Sequence, residues 1–268
     1  MRFGRVQWGR RCVYARLDDD GIVRPMRQPP WESTAVMPQL LRLEGSQPSR
    51  AFDEDAKPVR LLAPCQPSKL VCVGLNYRSH ATEMAEAEPT EPLLFLKPPS
   101  AVIGPGEDII WPPMACQVDH EAELGIIIGK TAKNIETAKA REYIFGYTCV
   151  NDVTARDLQK KDGQWTRAKS FDTFAPIGPW IETELDDRDV RVECRVNGGV
   201  TQRDSSALML FDVPRLLAFI SRVMTLLPGD VVATGTPSGI GPMVPNDVVE
   251  VEVGGVGVLR NRLVSGRI

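Results

Sequence analysis

The sequence predicts a strand-rich α+β fold, on three observations. Glycine and proline supply 22 residues each of the 268, above the roughly 12% that the two make together in an average protein. That excess calls for many turns. Apolar residues gather in short runs bounded by polar, glycine or proline clusters, the mark of buried strands. Few segments carry helical spacing.

In chain order, Arg11–Leu17 and Ile22–Met26 flank the turn cluster Asp18-Asp19-Asp20-Gly21 and read as a hairpin. Gln28-Pro29-Pro30 interrupts. Met37–Leu43 reads as a short amphipathic helix, and polar Ser46–Lys57, followed by Pro58, Pro64 and Pro67, as a connector. A boundary is therefore expected near residue 66, with a small N-terminal region over 1–66 and the main domain over 67–268. Leu70–Leu75 is a continuous apolar run typical of a buried strand, ending at Asn76-Tyr77-Arg78-Ser79-His80. Ser79 is placed to cap a helix that starts at His80 and continues through Ala81–Ala87 until Pro89. Further strands are expected over Leu124–Ile128, Ile144–Val150, Val190–Val196, Val231–Thr234 and Val248–Val253. Two helices fall among them, at Ile135–Tyr143 and at Val213–Met224, where Leu216, Leu217, Phe219, Ile220 and Val223 match helical spacing.

Composition removes several function classes. With 32 Lys and Arg against 35 Asp and Glu, the net charge of -3 supplies no basic field for nucleic acid. No run approaches the ~18 consecutive apolar residues of a membrane span. Arg2, Arg5, Arg10 and Arg11 are not followed by an apolar core, so no secretory signal is expected. The six cysteines, Cys12, Cys65, Cys72, Cys116, Cys149 and Cys194, form no C-x-x-C pair, which disfavours a zinc knuckle or a dithiol redox site. A soluble cytoplasmic enzyme is the expectation.

The segment His120-Glu121-Ala122-Glu123-Leu124 carries the strongest chemical signal. Side chains alternate along a strand, so Glu121 and Glu123 point one way while Ala122 and Leu124 point the other. Two like charges on one face repel, and a cation between them relieves that repulsion. Asp152, just after the run Ile144–Val150, offers a third carboxylate. Three oxygen ligands without Cys or His suit Mg²⁺, Mn²⁺ or Ca²⁺ rather than zinc. The other reading is an exposed sheet face with ordinary surface pairs, and spacing by itself leans that way.

His80 and Glu83, three apart at a helix start, share a face, so the carboxylate can orient the imidazole as a base. A helix-start pair without catalytic purpose is the competing account. His120 falls on the strand face opposite Glu121 and is assigned a structural role. Gly129-Lys130-Thr131 lacks the upstream glycine of a phosphate loop, and Gly235-Thr236-Pro237-Ser238-Gly239 sets its serine one place late for a nucleophile elbow. That loop nonetheless offers backbone N–H groups for an anion, with Thr236 as a hydroxyl donor, or it is a plain turn.

Six blocks then fall into register: Val73-Gly74-Leu75-Asn76-Tyr77-Arg78-Ser79-His80 with Glu83; Leu94-Phe95-Leu96-Lys97-Pro98; Glu121-Ala122-Glu123-Leu124; Asn151-Asp152-Val153-Thr154-Ala155-Arg156-Asp157-Leu158-Gln159; Lys169-Ser170-Phe171-Asp172-Thr173-Phe174; and Thr234-Gly235-Thr236-Pro237-Ser238-Gly239. Together they resemble the fumarylacetoacetate hydrolase family, in particular its acylpyruvate hydrolase, oxaloacetate decarboxylase and 2-hydroxyhepta-2,4-diene-1,7-dioate isomerase types. The resemblance implies a mixed β-sandwich roll and a homodimer. It implies Glu121, Glu123 and Asp152 as ligands of Mg²⁺ or Mn²⁺, and His80 and Glu83 as the catalytic dyad, on a segment that in some members orders as a lid only with substrate. It implies Lys169 as a positive charge beside a developing enolate, and Arg156, Gln159, Gly235 and Thr236 as holders of substrate oxygens. Leu75 departs from the family, where a polar or basic residue often precedes the asparagine. The expected activity is metal-dependent C–C hydrolysis of an acylpyruvate-type β-diketo acid, in a setting of aromatic catabolism, with His80 and Glu83 activating water. Oxaloacetate decarboxylation and 5-carboxymethyl-2-hydroxymuconate-type isomerisation use the same residues, and a non-catalytic, metal-stabilised binding protein is the remaining alternative.

Overall fold

The computed structural model describes residues 1–19, 21–44 and 58–266 of the chain, and its fold is strand-rich α+β. The connector expected over 46–57, and Asp20 of the first turn, lie outside the described residues.

The strand Ala122–Ile128 organises the rest. Its alternation sends Ala122, Leu124, Ile126 and Ile128 into the larger core with Cys149, Val192, Val251 and Leu259. Ile127 faces the other way, against Leu70, Cys72, Val150 and Ile177. Both faces are covered, which is why the sequence there reads as one apolar run rather than as alternating polar and apolar residues. The strand pairs antiparallel with Ile144–Asn151 on one edge and Val231–Ala233 on the other. From Val231–Ala233 the sheet continues through Leu70–Gly74 to Leu93–Lys97. On the other side it continues from Ile144–Asn151 through Ala175–Glu182 to Arg2–Trp8. A five-stranded sheet, in the order Gly199–Ser205, Arg191–Val196, Val248–Val253, Gly257–Ser265, Asp108–Trp111, stacks on it through Val192, Val251 and Leu259. A small sheet of Thr154–Ala155, Val118–His120 and Gly241–Met243 leads directly into the central strand.

The N-terminal strands close on themselves. Arg2–Trp8 pairs with Arg11–Leu17 and with Pro58–Leu62, and the ring is completed through Ile22–Pro25 and Leu41–Leu43. Each strand contributes one residue, Val6, Ala15, Val23, Leu41 and Val59, to a common buried cluster.

The strands over 11–17 and 248–253 match their expected bounds, and the others agree within a few residues. Three expectations change. Met37–Leu43 is not a helix: Pro38 cannot donate to a helical turn and disfavours helical backbone before it, and Leu41–Leu43 pairs as a strand with both neighbours. Ser79 does not cap a helix, because the helix is Arg78–Glu83 with Tyr77 before it, and it stops short of Ala85, whose φ of 55° turns the chain. The segment before Ile144 is a 3₁₀ helix over Thr137–Tyr143. The helix Val213–Val223 forms as expected, its start capped by Asp212 Oδ1, which accepts from Arg215 N–H at 2.9 Å. Among the described residues, no helix is long and apolar enough to cross a membrane.

Leu124 is fully buried behind Glu123. Leu124→Ala should lower unfolding stability by about 2–5 kcal/mol, read as a lower denaturant midpoint. A midpoint equal to wild type would show that the core does not depend on this strand.

Candidate functional site

Sheet register assembles the acidic cluster. Ala122 pairs with Asn151 and Glu123 with Val150, so Asp152 emerges beside Glu121, and its N–H donates to Glu121 O at 2.9 Å. One oxygen from each of Glu121, Glu123 and Asp152 lies within 4.8 Å of the others, and all three side chains are buried.

Three cationic side chains, also buried, face the cluster. Lys169 Nζ donates to Glu121 Oε2 at 2.8 Å and to Asp152 Oδ2 at 2.6 Å. Arg156 donates to Asp119 Oδ2 at 2.8 Å, to Gln159 Oε1 at 2.5 Å and to Glu121 Oε1. Lys97 Nζ lies 2.7 Å from Asp152 Oδ1, yet its hydrogen bonds go to Val153 O at 2.9 Å and Phe174 O at 2.6 Å. Asp152 Oδ1 is thus buried with the Lys97 ammonium as its ion-pair partner. Three buried carboxylates that bring one oxygen each to a common point, without Cys or His, fit a hard divalent cation. Burial would raise the pKa of Glu121, but Lys169 and Arg156 outweigh it and hold the group below the usual carboxylate range. At Glu123 burial wins: the neighbouring charges of Asp152 and Glu121 add to it, and the pKa stands well above the ordinary value despite the Gly235 N–H.

His80 and Glu83 meet as their i, i+3 spacing requires, with His80 Nδ1 at 3.0 Å from Glu83 Oε2. Glu83 Oε1 also accepts from Gly239 N–H at 2.9 Å, so the carboxylate ties the short helix to the glycine-rich loop. His80, the three carboxylates and Lys169 line one open cleft of about 1190 Å³. Arg156, Gln159 and Thr236 line it too, whereas Glu83 and Gly235 act from behind. The loop's N–H at Gly235 already has an anion, donating to Glu123 Oε2 at 2.8 Å. The Thr236 hydroxyl donates to Ala122 O at 2.9 Å and accepts from Gln202 Nε2 at 2.7 Å, so its proton is held within the protein. His120 stands apart from the cleft, buried, with Nδ1 3.2 Å from Gln202 Oε1, and burial lowers its pKa against that hydrogen bond.

Sequence reasoning missed Lys97, Asp119 and Gln202 as parts of this network. A lysine closing the apolar run Leu93–Lys97 was a signal for the first. Gln202 sits in a strand with an exposed, polar sequence and gave none.

Comparison with known proteins follows the same residues. Positions 69–264 match the family model described as fumarylacetoacetate (FAA) hydrolase C-terminal. The crystal structure of 5-carboxymethyl-2-hydroxymuconate delta-isomerase from Mycobacterium smegmatis is 42% identical with a TM-score of 0.89, over 99% of this chain and 100% of that one. Fumarylacetoacetate hydrolase from psychrophilic Exiguobacterium antarcticum is 37% identical with a TM-score of 0.83, over 99% and 100% of the two chains. The mitochondrial oxaloacetate tautomerase Fahd2a of Rattus norvegicus is 40% identical over 218 residues, 77% of this chain and 70% of that protein.

Saturating Mn²⁺ or Mg²⁺ should raise the Tm of the wild-type protein, since a ligand at 100 times its Kd adds about 2.7 kcal/mol to the folded state. Glu123→Gln keeps an oxygen for the Gly235 N–H but should lose most of that rise. An equal metal-dependent shift in the variant would remove Glu123 from the ligand set.

Proposed function

The chain belongs to the fumarylacetoacetate hydrolase family, and from that premise we propose that it is a divalent-metal-dependent enzyme that moves a proton at the carbon beside the ketone of a 2-oxo acid. One observation carries the reading: a histidine oriented by a carboxylate opens into the same cleft as three convergent buried carboxylates. Glu121, Glu123 and Asp152 would hold the cation. When bound, it would supply Lewis acidity to the carboxylate and ketone oxygens of the acid, stabilising the negative charge that develops as a proton leaves the adjacent carbon.

The chain's own groups complete the task. With the imidazole proton on Nδ1, donated to Glu83 Oε2, Nε2 is left as the basic atom of His80. Nε2 takes the substrate proton and returns it to another position, which is all that an isomerase or tautomerase requires. Lys169 has three donors, two committed to Glu121 and Asp152, and the third is available to a substrate oxygen. Gln159 accepts from Arg156 through its carbonyl, which leaves its NH₂ for the acid's carboxylate.

Proton transfer takes first place because an isomerase and a tautomerase stand among the similar proteins. The second reading is C–C hydrolysis of an acylpyruvate-type β-diketo acid, favoured by the Exiguobacterium hydrolase, in which Nε2 takes its proton from water instead. With Mg²⁺ present, NMR should show enzyme-dependent exchange of the C3 protons of oxaloacetate for deuterium. His80→Asn should lower that rate by a factor of about 10²–10⁴. Release of acetate and pyruvate from acetylpyruvate would put hydrolysis first, and absence of both reactions would overturn the proposal.

A further inference from the structure

We infer that the cleft selects a 2-oxo acid whose far end is apolar and of aromatic size, rather than one that ends in a second carboxylate. The inference rests on reading the site as one for 2-oxo acids, and adds the substrate class. Its basis is one strand. In Leu93–Lys97 alternate residues share a face; Lys97, Phe95 and Leu93 stand opposite Leu70, Cys72 and Gly74 in register, and all three line the cleft. The strand thus forms a rail. At its inner end Lys97 is fully buried beside Asp152, and at its outer end Leu93 is 41% exposed.

Phe95, between them, lies beside the acidic cluster, with Lys169 Nζ 4.9 Å from its ring centre. Trp165 comes next, with ring centres 5.2 Å apart and an edge-to-face arrangement. The helix Thr166–Lys169 links the two functions, since Lys169 N–H donates to Trp165 O at 3.0 Å and so holds the indole one turn from the ammonium. Gly74 makes room for that indole. A Cβ there would stand 2.7 Å from Trp165 Cζ3 and 3.3 Å from Leu93 Cδ2.

The cleft's charges argue the same way. A second carboxylate taken out of water needs a cation that is not already paired. Lys97, Arg156 and Lys169 are committed to the acidic cluster, and Lys69 is paired with Asp230 at 2.5 Å. Lys160 and Glu86, also on the cleft wall, are exposed and so stay in water, and Gln164, Thr166 and Ser170 add only neutral polar groups. With the buried cations taken, Phe95, Trp165 and Leu93 are the surface suited to the far end of the acid.

The test compares phenylpyruvate with oxaloacetate, with Mg²⁺ present, by calorimetric binding and by deuterium exchange at C3. Phenylpyruvate should bind at least about tenfold more tightly. Trp165→Ala should cut that ratio by about tenfold, and Trp165→Phe should keep most of it, which also guards against a variant that fails to fold. Equal affinities in the wild type, or a ratio unchanged in both variants, would overturn the inference. Binding with the expected preference but no exchange of either acid would support this inference while sinking the proton-transfer reading. Exchange of both acids without preference would do the reverse.

Discussion

Four buried carboxylates and three buried cations in one network at the cleft are the constraint on which the rest of the structure depends. Asp119, Glu121, Glu123 and Asp152 face Lys97, Arg156 and Lys169, and of these Glu123 alone has no ion pair to a cation among the described residues, its pKa raised by burial and by the neighbouring carboxylates. Isolated charges cannot be buried at a tolerable cost, and removing one member of a buried pair leaves its partner stranded. The cluster persists because its ions are held from different directions: the central strand brings Glu123 and the residue just before it is Glu121, Asp152 follows the neighbouring strand, the sheet edge brings Lys97, and two short helices bring Arg156 and Lys169. The point where Glu121, Glu123 and Asp152 converge is where a divalent cation belongs.

That arrangement also explains why the sheet is covered on both faces. Glu123 shares its face with Ile127, and its neighbours Leu124 and Ile126 lock the opposite face against the second sheet. A slip of one residue would put Ala122 and Leu124 where Glu121 and Glu123 stand. Packing on one side of the strand therefore fixes chemistry on the other. Gly125 contributes, since a Cβ there would lie 2.6 Å from Val150 Cγ2, in the pairing that sets Asp152 beside Glu121.

Much of this was legible in the sequence, and the failures have physical reasons. Strand alternation and a single helical turn make Glu121 with Glu123 and His80 with Glu83 candidates, Asp152 follows an apolar run, and spacing alone favours ordinary surface pairs; the family blocks in register are what single these residues out. Met37–Leu43 misled because apolar spacing over seven residues does not separate a turn of helix from a short strand, and the deciding partners, Ile22–Pro25 and Pro58–Leu62, are remote in sequence. Gln202 was invisible for the same reason. Its amide meets His120, Ala122, Thr236 and Pro237, none of them near it in the chain. The glycine-rich loop was recognised as a set of free N–H donors, but the anion at Gly235 proved to be Glu123 itself.

This last point bears on how the dyad and the metal ligands are kept in step. Gly235 N–H holds Glu123 at one end of the loop, and Gly239 N–H holds Glu83 at the other. Both contacts need the loop's left-handed glycines, with φ of 100° at Gly235 and 95° at Gly239. A Cβ at Gly239 would stand 2.0 Å from Thr201 O, so no other residue fits without moving the backbone. One turn of chain therefore sets the spacing between the carboxylate that orients the base and a carboxylate of the acidic cluster. Proton transfer is steeply sensitive to such spacing, and a loop that grips both carboxylates couples them without either residue touching the other.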